Sequence, residues 1–181
     1  AGNGGVGAEA DNVAVGSNAL LAVTTGSYNQ MVGKNSGGAL LTGVKNSVLG
    51  YYALATSQAV DGVVCIGTQA MQDGNATSDA DGTVAIGGYS LLKLVSGQKN
   101  VAVGWQTLME NTIGDSNIAI GFNAMLETST FQNDNNIAIG SENADGSVLA
   151  AMGGDWDTAA STNNIAIGTG SMAGVMTAAN D

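Results

Sequence analysis

A five-residue phrase, written Asn-aliphatic-small-aliphatic-Gly in its commonest form, recurs nine times along the chain, and this recurrence constrains the fold more than any other feature. The first copy is Asn12 to Gly16, and the glycines that end successive copies are 17, 17, 17, 20, 17, 17, 19 and 28 residues apart. Units this short cannot enclose a core alone, so each must bury apolar side chains against its neighbours. The repeat therefore predicts an all-β parallel β-solenoid, or β-roll, of about nine coils.

Within the phrase, aliphatic residues alternate with a small residue. The residue before the glycine is always Val, Leu or Ile, and the residue before that is Ala in most copies. Alternation with period two and β-branched side chains predicts a strand of about four residues with one packed face. The small middle side chain suggests that the opposite face also lies close to another surface. The glycine would end the strand, because it can adopt a positive φ or approach another backbone closely.

A second phrase, x-x-Ala-Leu, follows the glycine in most copies, for example Ala19-Leu20 and Ala53-Leu54. It predicts a second short apolar segment in each coil, followed by a turn. The small middle residues and the aliphatic residues of this phrase would then form two apolar surfaces, whereas one thin core needs only one. A bundle of three parallel copies would bury the second surface.

An asparagine column precedes the strands. It comprises Asn12, Asn29, Asn46, Asn100, Asn117, Asn136 and Asn164. Stacked coils would bring these amides into register, so that each could bond to the amides above and below. Alternatively, each asparagine could stabilise only its own turn. Both interpretations explain the position equally well.

The composition argues against several functions. The chain has 181 residues and a net charge of -11, with Lys plus Arg of 4 against Asp plus Glu of 15. Such acidity does not favour binding to nucleic acid or to an anionic membrane. There is no run of 18 apolar residues, so insertion into a membrane is not expected. Histidine is absent, and no nucleophile motif or phosphate loop occurs, so no enzymatic activity is expected.

The domain prediction is a single solenoid over residues 12–181, with an inserted loop near residues 141–163. Residues 1–11 would be an N-terminal cap or the continuation of a longer chain. The inserted loop holds Trp156 between Asp155 and Asp157, an arrangement that could stack on a sugar ring and accept hydrogen bonds from its hydroxyl groups. The alternative is that Trp156 covers the edge of a coil.

An aromatic row after the strand glycines is a second candidate site for a glycan. It contains Tyr51, Tyr52, Tyr89, Trp105 and Phe122, which are expected at equivalent positions of their coils. Such a row could bind an extended glycan, or it could fill a corner or a seam between subunits.

A third candidate site lies in the coil of 20 residues and could bind a cation. Its oxygen-bearing residues are Asp73, Asn75, Thr77, Asp79 and Asp81. Their alternation resembles a calcium loop in composition, but the glutamate that closes an EF-hand loop is missing. A solvated acidic turn explains the same residues. No cofactor is expected unless calcium binds here.

The segments NVAVGSNALLAVTTGSYN (residues 12–29) and NIAIGFNAMLETST (residues 117–130) resemble the repeats of phage tail fibres and related viral surface proteins. They are similar, more distantly, to the head repeats of trimeric autotransporter adhesins. The resemblance implies a left-handed or tightly wound parallel β-roll that assembles as an intertwined or side-by-side homotrimer outside the cell. The chain carries neither the heptad stalk nor the membrane-anchor strands of those adhesins.

The expected function is that of a non-enzymatic fibre or spike segment on a virion surface, which supports or performs attachment to a glycan or protein receptor of a host cell. The alternatives are a bacterial trimeric adhesin head and a purely structural spacer or capsid decoration protein.

Overall fold

The computed structural model describes residues 11–126, 133–142 and 162–171. These residues form an all-β parallel solenoid of about seven turns, against about nine predicted, which confirms the parallel β-solenoid. The left-handed winding and the homotrimer stay predictions. Each copy of the phrase contributes one strand to a single nine-stranded sheet. The strands are three residues long, one fewer than predicted: β1 Val13–Val15, β2 Gln30–Val32, β3 Ser47–Leu49, β4 Val64–Ile66, β5 Val84–Ile86, β6 Val101–Val103, β7 Ile118–Ile120, β8 Ile137–Ile139 and β9 Ile165–Ile167.

The strands follow one another in chain order, and every pair is parallel. The register always aligns the same position of the phrase, as in the pair Ala102 and Ala119 of β6 and β7. The longer coils keep this register, since Cys65 pairs with Ala85 and Ala138 pairs with Ala166. The extra residues of these coils therefore do not shift the strands that follow.

The glycine that ends each strand is required by its backbone and by its neighbour. Gly50 has a φ of 154°, and a Cβ placed there would lie 2.2 Å from the carbonyl oxygen of Gly67 in the next coil. A side chain at this position would be strained and would also push the coils apart. This double restriction holds for the first eight copies of the phrase, whereas Gly168, which ends the last strand, has the positive φ alone.

The second phrase forms a turn and not a second strand. Leu54 has a φ of 53°, and the equivalent Leu20 and Leu108 have φ values of 51°. Leucine seldom adopts this left-handed conformation, which costs about 1 kcal/mol. Here its amide donates a hydrogen bond to the next coil, at 2.9 Å from Leu54 N to Ala70 O, and its side chain is buried. The predicted apolar segment is thus a buried turn held between coils.

Helical structure is limited to one short 3-10 helix, Ser78–Ala80, within the part of the chain that the structure describes. It lies in the coil of 20 residues, and the Thr77 hydroxyl caps it by accepting a hydrogen bond from Asp79 N. Across residues 11–126, 133–142 and 162–171, no helix has the length and hydropathy needed to cross a membrane.

The direction of the strand side chains corrects the predicted packing. The small middle residues, such as Ala85 and Ala102, point inward and are fully buried together with the Ala-Leu turn. The flanking Val, Ile and Leu residues point outward. The small middle residues and the turn leucines therefore share one core and do not form two surfaces. The physical reason is space, because a coil only a few residues across has room for Ala opposite Leu but not for two large side chains.

Candidate binding surfaces

The outer side of the sheet is an uncovered apolar surface, which we call the aliphatic face. It consists of the first and third residues of every strand, and all of these are Val, Ile or Leu except Gln30 and Ser47. Val15 is 56% exposed, and Ile66 and Ile120 near the middle of the sheet are 38% and 37% exposed. No charged residue interrupts the two columns. Contiguous apolar surface of this kind usually marks a site of contact with another molecule.

The aromatic row divides into two separate groups, and its members do not all occupy equivalent positions. Tyr51, Trp105 and Phe122 are the first residues after their glycines, whereas Tyr52 and Tyr89 are the second. Thr68 and Gln69 occupy these positions in the coil between the two groups and separate them.

We call Tyr89, Trp105 and Phe122, in three successive coils, the aromatic cluster. The rings of Tyr89 and Trp105 meet edge to face, with centroids 5.0 Å apart. Trp105 is 47% exposed and Phe122 is 39% exposed. This cluster therefore offers partly exposed ring surface to a ligand.

The pair of Tyr51 and Tyr52 is surrounded differently. Their ring centroids are 4.5 Å apart, and the Lys34 ammonium lies 5.8 Å from the centroid of the Tyr51 ring. The charged Lys34 side chain therefore lies near the Tyr51 ring, whereas the three residues of the aromatic cluster are uncharged.

The asparagine column forms hydrogen bonds between coils. Of the two interpretations, a ladder of amides that bond to the amides of neighbouring coils is therefore the one that describes the contacts. Asn46 Nδ2 donates to Asn29 Oδ1 at 2.9 Å and to the Val60 carbonyl at 2.8 Å, while Asn46 Oδ1 accepts from Val63 N at 3.0 Å. The same pattern links Asn100, Asn117, Asn136 and Asn164. These side chains are buried, apart from the half-buried Asn12, so their role is structural.

The candidate calcium residues are spread over the coil of 20 residues, and two of them bind the backbone. Asp81 Oδ1 accepts a hydrogen bond from Asp61 N at 2.7 Å, and Thr77 caps the 3-10 helix. Asp73, Asn75 and Asp79 are exposed. Among the residues that the structure describes, no three His, Cys, Asp or Glu side chains lie close enough to hold a metal ion. The calcium site remains a prediction.

The acidic side chains near Asp81 affect its protonation. Partial burial raises the pKa of the Asp81 carboxyl above its usual value, and the nearby carboxylates of Asp61 and Asp79 raise it further, against a lowering by the hydrogen bond from Asp61 N. The net effect is that charge on Asp81 is disfavoured.

Trp156, Asp155 and Asp157 lie outside the described residues, as does most of the inserted loop predicted near residues 141–163. The sugar platform proposed for them stays a prediction from the sequence.

The sequence reasoning missed the aliphatic face, although its signal was present. Most copies of the phrase place a small residue between two large ones, and in a thin coil the small residue is the one that fits inside. Residue size, and not hydrophobicity, was the information that indicated which side of the strand faces outward.

Comparison of the chain with protein-family models, with curated proteins and with solved structures gave no significant match. The fold and the surfaces described above therefore carry the functional argument.

Proposed function

We propose that this chain is a segment of an extracellular fibre or spike, assembled as a homotrimer, that supports or performs attachment to a host cell surface. The proposal includes no enzymatic activity. The proposed location is the surface of a virion, because residues 12–29 and 117–130 resemble the repeats of phage tail fibres. A bacterial trimeric adhesin head is the main alternative.

The observation that carries the proposal is the aliphatic face. Two columns of side chains, all Val, Ile or Leu except Gln30 and Ser47, run along the stacked coils for a length on the order of 40 Å, given about 4.8 Å between strands. Exposure of an apolar strip of this length to water is unfavourable, and the strip stands out on a chain with a net charge of -11. We therefore expect another surface to cover it.

The occupant that fits this strip best is another copy of the same chain. The strip repeats at the spacing of the strands, so a parallel copy presents side chains at the same interval and can match them along the whole length. Three copies around one axis would bury all three strips and leave the turns outside. The turns would then be available to a glycan or protein receptor, while the rod supplies rigidity.

The test is the oligomeric state of face variants. In the double variant Ile66→Lys/Ile120→Lys, burying two ammonium groups per chain should convert a trimer into monomers in analytical ultracentrifugation at micromolar concentration. The matched control is Leu21→Lys/Val95→Lys, because these side chains are exposed to a similar degree, at 52% and 38%, but lie off the sheet. The control should remain trimeric.

A stable wild-type monomer would refute the assembly proposal. Attachment itself is tested by binding of the intact oligomer to an array of host-type glycans and to whole cells, and a polysaccharide depolymerisation assay tests the expectation that the chain is not an enzyme.

A further inference from the structure

We propose that the aromatic cluster is a binding site for a neutral sugar, with the Trp105 indole as the platform on which a pyranose ring stacks. This inference rests on the proposed attachment function and adds to it a location and a class of ligand.

The indole of Trp105 lies across Gly88 in the preceding coil. A Cβ placed on Gly88 would lie 2.5 Å from Trp105 Cζ3 and 2.7 Å from Cε3, so only glycine leaves room for the ring there. Tyr89 meets the indole edge-on. The ring is therefore held on two sides by its own fold, and yet Trp105 remains 47% exposed. A fixed aromatic surface loses little conformational entropy when a ligand stacks on it.

The backbone beneath the cluster is tied to both neighbouring coils. Asn123 N donates to the Trp105 carbonyl at 3.0 Å, and Gln106 N donates to the Gly88 carbonyl at 2.9 Å. Sites on a hydrogen-bonded framework keep their geometry better than sites on free loops.

The chemistry around the ring matches a sugar without charge. The second positions after the glycines in this region are Gln69, Tyr89, Gln106 and Asn123, all of which are partly exposed. The first three can exchange hydrogen bonds with hydroxyl groups, whereas the Asn123 amide already donates to the carboxylate of Glu142 in the following coil. None of the residues at the first and second positions in these four coils is charged. Stacking on an aromatic face combined with amide and phenol groups is suited to a neutral hexose or N-acetylhexosamine.

The Tyr51 and Tyr52 pair provides the internal comparison. It occupies the same positions of an earlier coil, but Lys34 lies over the Tyr51 ring and stands at the position that corresponds to Gly88. Tyr51→Ala is therefore a matched control for loss of an exposed ring from this column.

The experiment measures binding of the full-length oligomer to immobilised neutral hexose and N-acetylhexosamine oligosaccharides. The variants are Trp105→Ala, which removes the platform, and Gly88→Ala, which keeps the indole but places a methyl group in the space that the indole occupies. Gly88 is not in the left-handed region, and the nearest contacts of its added Cβ are all indole atoms, so this variant tests ring position. We expect each variant to weaken binding by about tenfold or more.

The control variants are Tyr51→Ala and Trp156→Ala, which should bind as the wild type does.

Four results would overturn the site. These are unchanged binding by Trp105→Ala, loss of binding only in Trp156→Ala, dissociation of the oligomer by Trp105→Ala, and a wild-type oligomer that attaches to cells but binds none of the sugars. The third would show that the ring belongs to a subunit seam. Each of the four leaves the proposed attachment function standing, whereas a wild-type chain that neither assembles nor attaches would remove both.

Discussion

At the scale of single residues, the size of one core side chain is matched to that of another six positions later. Most coils pair a small middle strand residue with a large turn residue, as Ala102 with Leu108. The second coil reverses the pair, with Met31 in the strand and Gly37 in the turn. A Cβ on Gly37 would lie 2.8 Å from Met31 Sδ, so the methionine fills the volume that leucine fills elsewhere.

This exchange predicts the result of a double-mutant cycle. Met31→Ala should cost about 2–4 kcal/mol of unfolding free energy through a cavity, and Gly37→Leu about 1–3 kcal/mol through overpacking. Met31→Ala/Gly37→Leu should lie within about 1 kcal/mol of the wild type, because it restores the usual pair. Leucine fits the backbone, since Gly37 has a φ of 57° and Leu54 has 53°. Denaturant unfolding at one fixed chain concentration measures this, and additive losses would contradict it.

The buried thiol of Cys65 predicts an alkaline dependence of stability. Complete burial raises the pKa of Cys65 far above its ordinary value, so the folded chain keeps a proton that the unfolded chain releases above about pH 8.5. The stabilisation is complete below that pH and is lost as the pH rises, at about 1.4 kcal/mol per pH unit.

Cys65→Ala should remove this slope, and alanine fits because Ala85 pairs with Cys65 in the neighbouring strand. Unfolding free energies of both chains at pH 7 and pH 9.5 measure the difference between their slopes. Equal slopes would mean that the thiol binds its proton equally in the folded and unfolded chains, so that burial does not raise its pKa.

At the scale of elements, the asparagine ladder is interrupted in the fourth and fifth coils, where Val63 and Thr83 stand in its column. Thr83 Oγ1 reaches Gly97 O and Asn100 N at 3.5 Å and 3.4 Å, respectively. In the next coil, Asn100 makes the corresponding bonds at 2.7 Å and 2.9 Å. Threonine thus contacts the same partners as asparagine, but with longer and weaker hydrogen bonds.

Thr83→Asn should therefore stabilise the solenoid, by about 0.5–1.5 kcal/mol, since its amide reaches the same two partners at normal distances. The reverse change, Asn117→Thr, should cost about 1–3 kcal/mol, because it leaves buried groups in both neighbouring coils poorly bonded. Thermal unfolding of both variants, with calorimetry at matched concentration, measures the pair. A destabilised Thr83→Asn would contradict the ladder as a source of stability.

The elements also show what the sequence could predict. The glycine spacing fixed the number and register of strands, because each register follows from one repeated backbone constraint. Alternation could not tell which side of a strand faces inward, since it is the same for both sides. The left-handed leucines, such as Leu54, were hidden as well, because leucine has no preference for that conformation. The sequence showed the aromatic residues as a row, but it could not show that Gly88 lies against the Trp105 ring, because that contact joins two stacked coils.

At the scale of the whole molecule, the proposed assembly depends on the balance between apolar attraction and charge repulsion. The aliphatic face carries no charge, whereas each chain has a net charge of -11, so three chains repel one another at distances beyond the contact. Added salt screens that repulsion, with a Debye length of about 10 Å at 0.1 M and about 3 Å at 1 M. It leaves the apolar contact intact.

The proposed trimer should accordingly become more stable as salt increases. We expect the apparent dissociation constant, measured by sedimentation equilibrium, to fall between 50 mM and 500 mM sodium chloride, by about tenfold or more. In low salt, Leu21→Lys/Val95→Lys should assemble at least as tightly as the wild type, because it reduces the net charge without touching the face. An interface built on ion pairs would show the opposite salt dependence, and a trimer that dissociates as salt is added would therefore exclude the aliphatic face as its main contact.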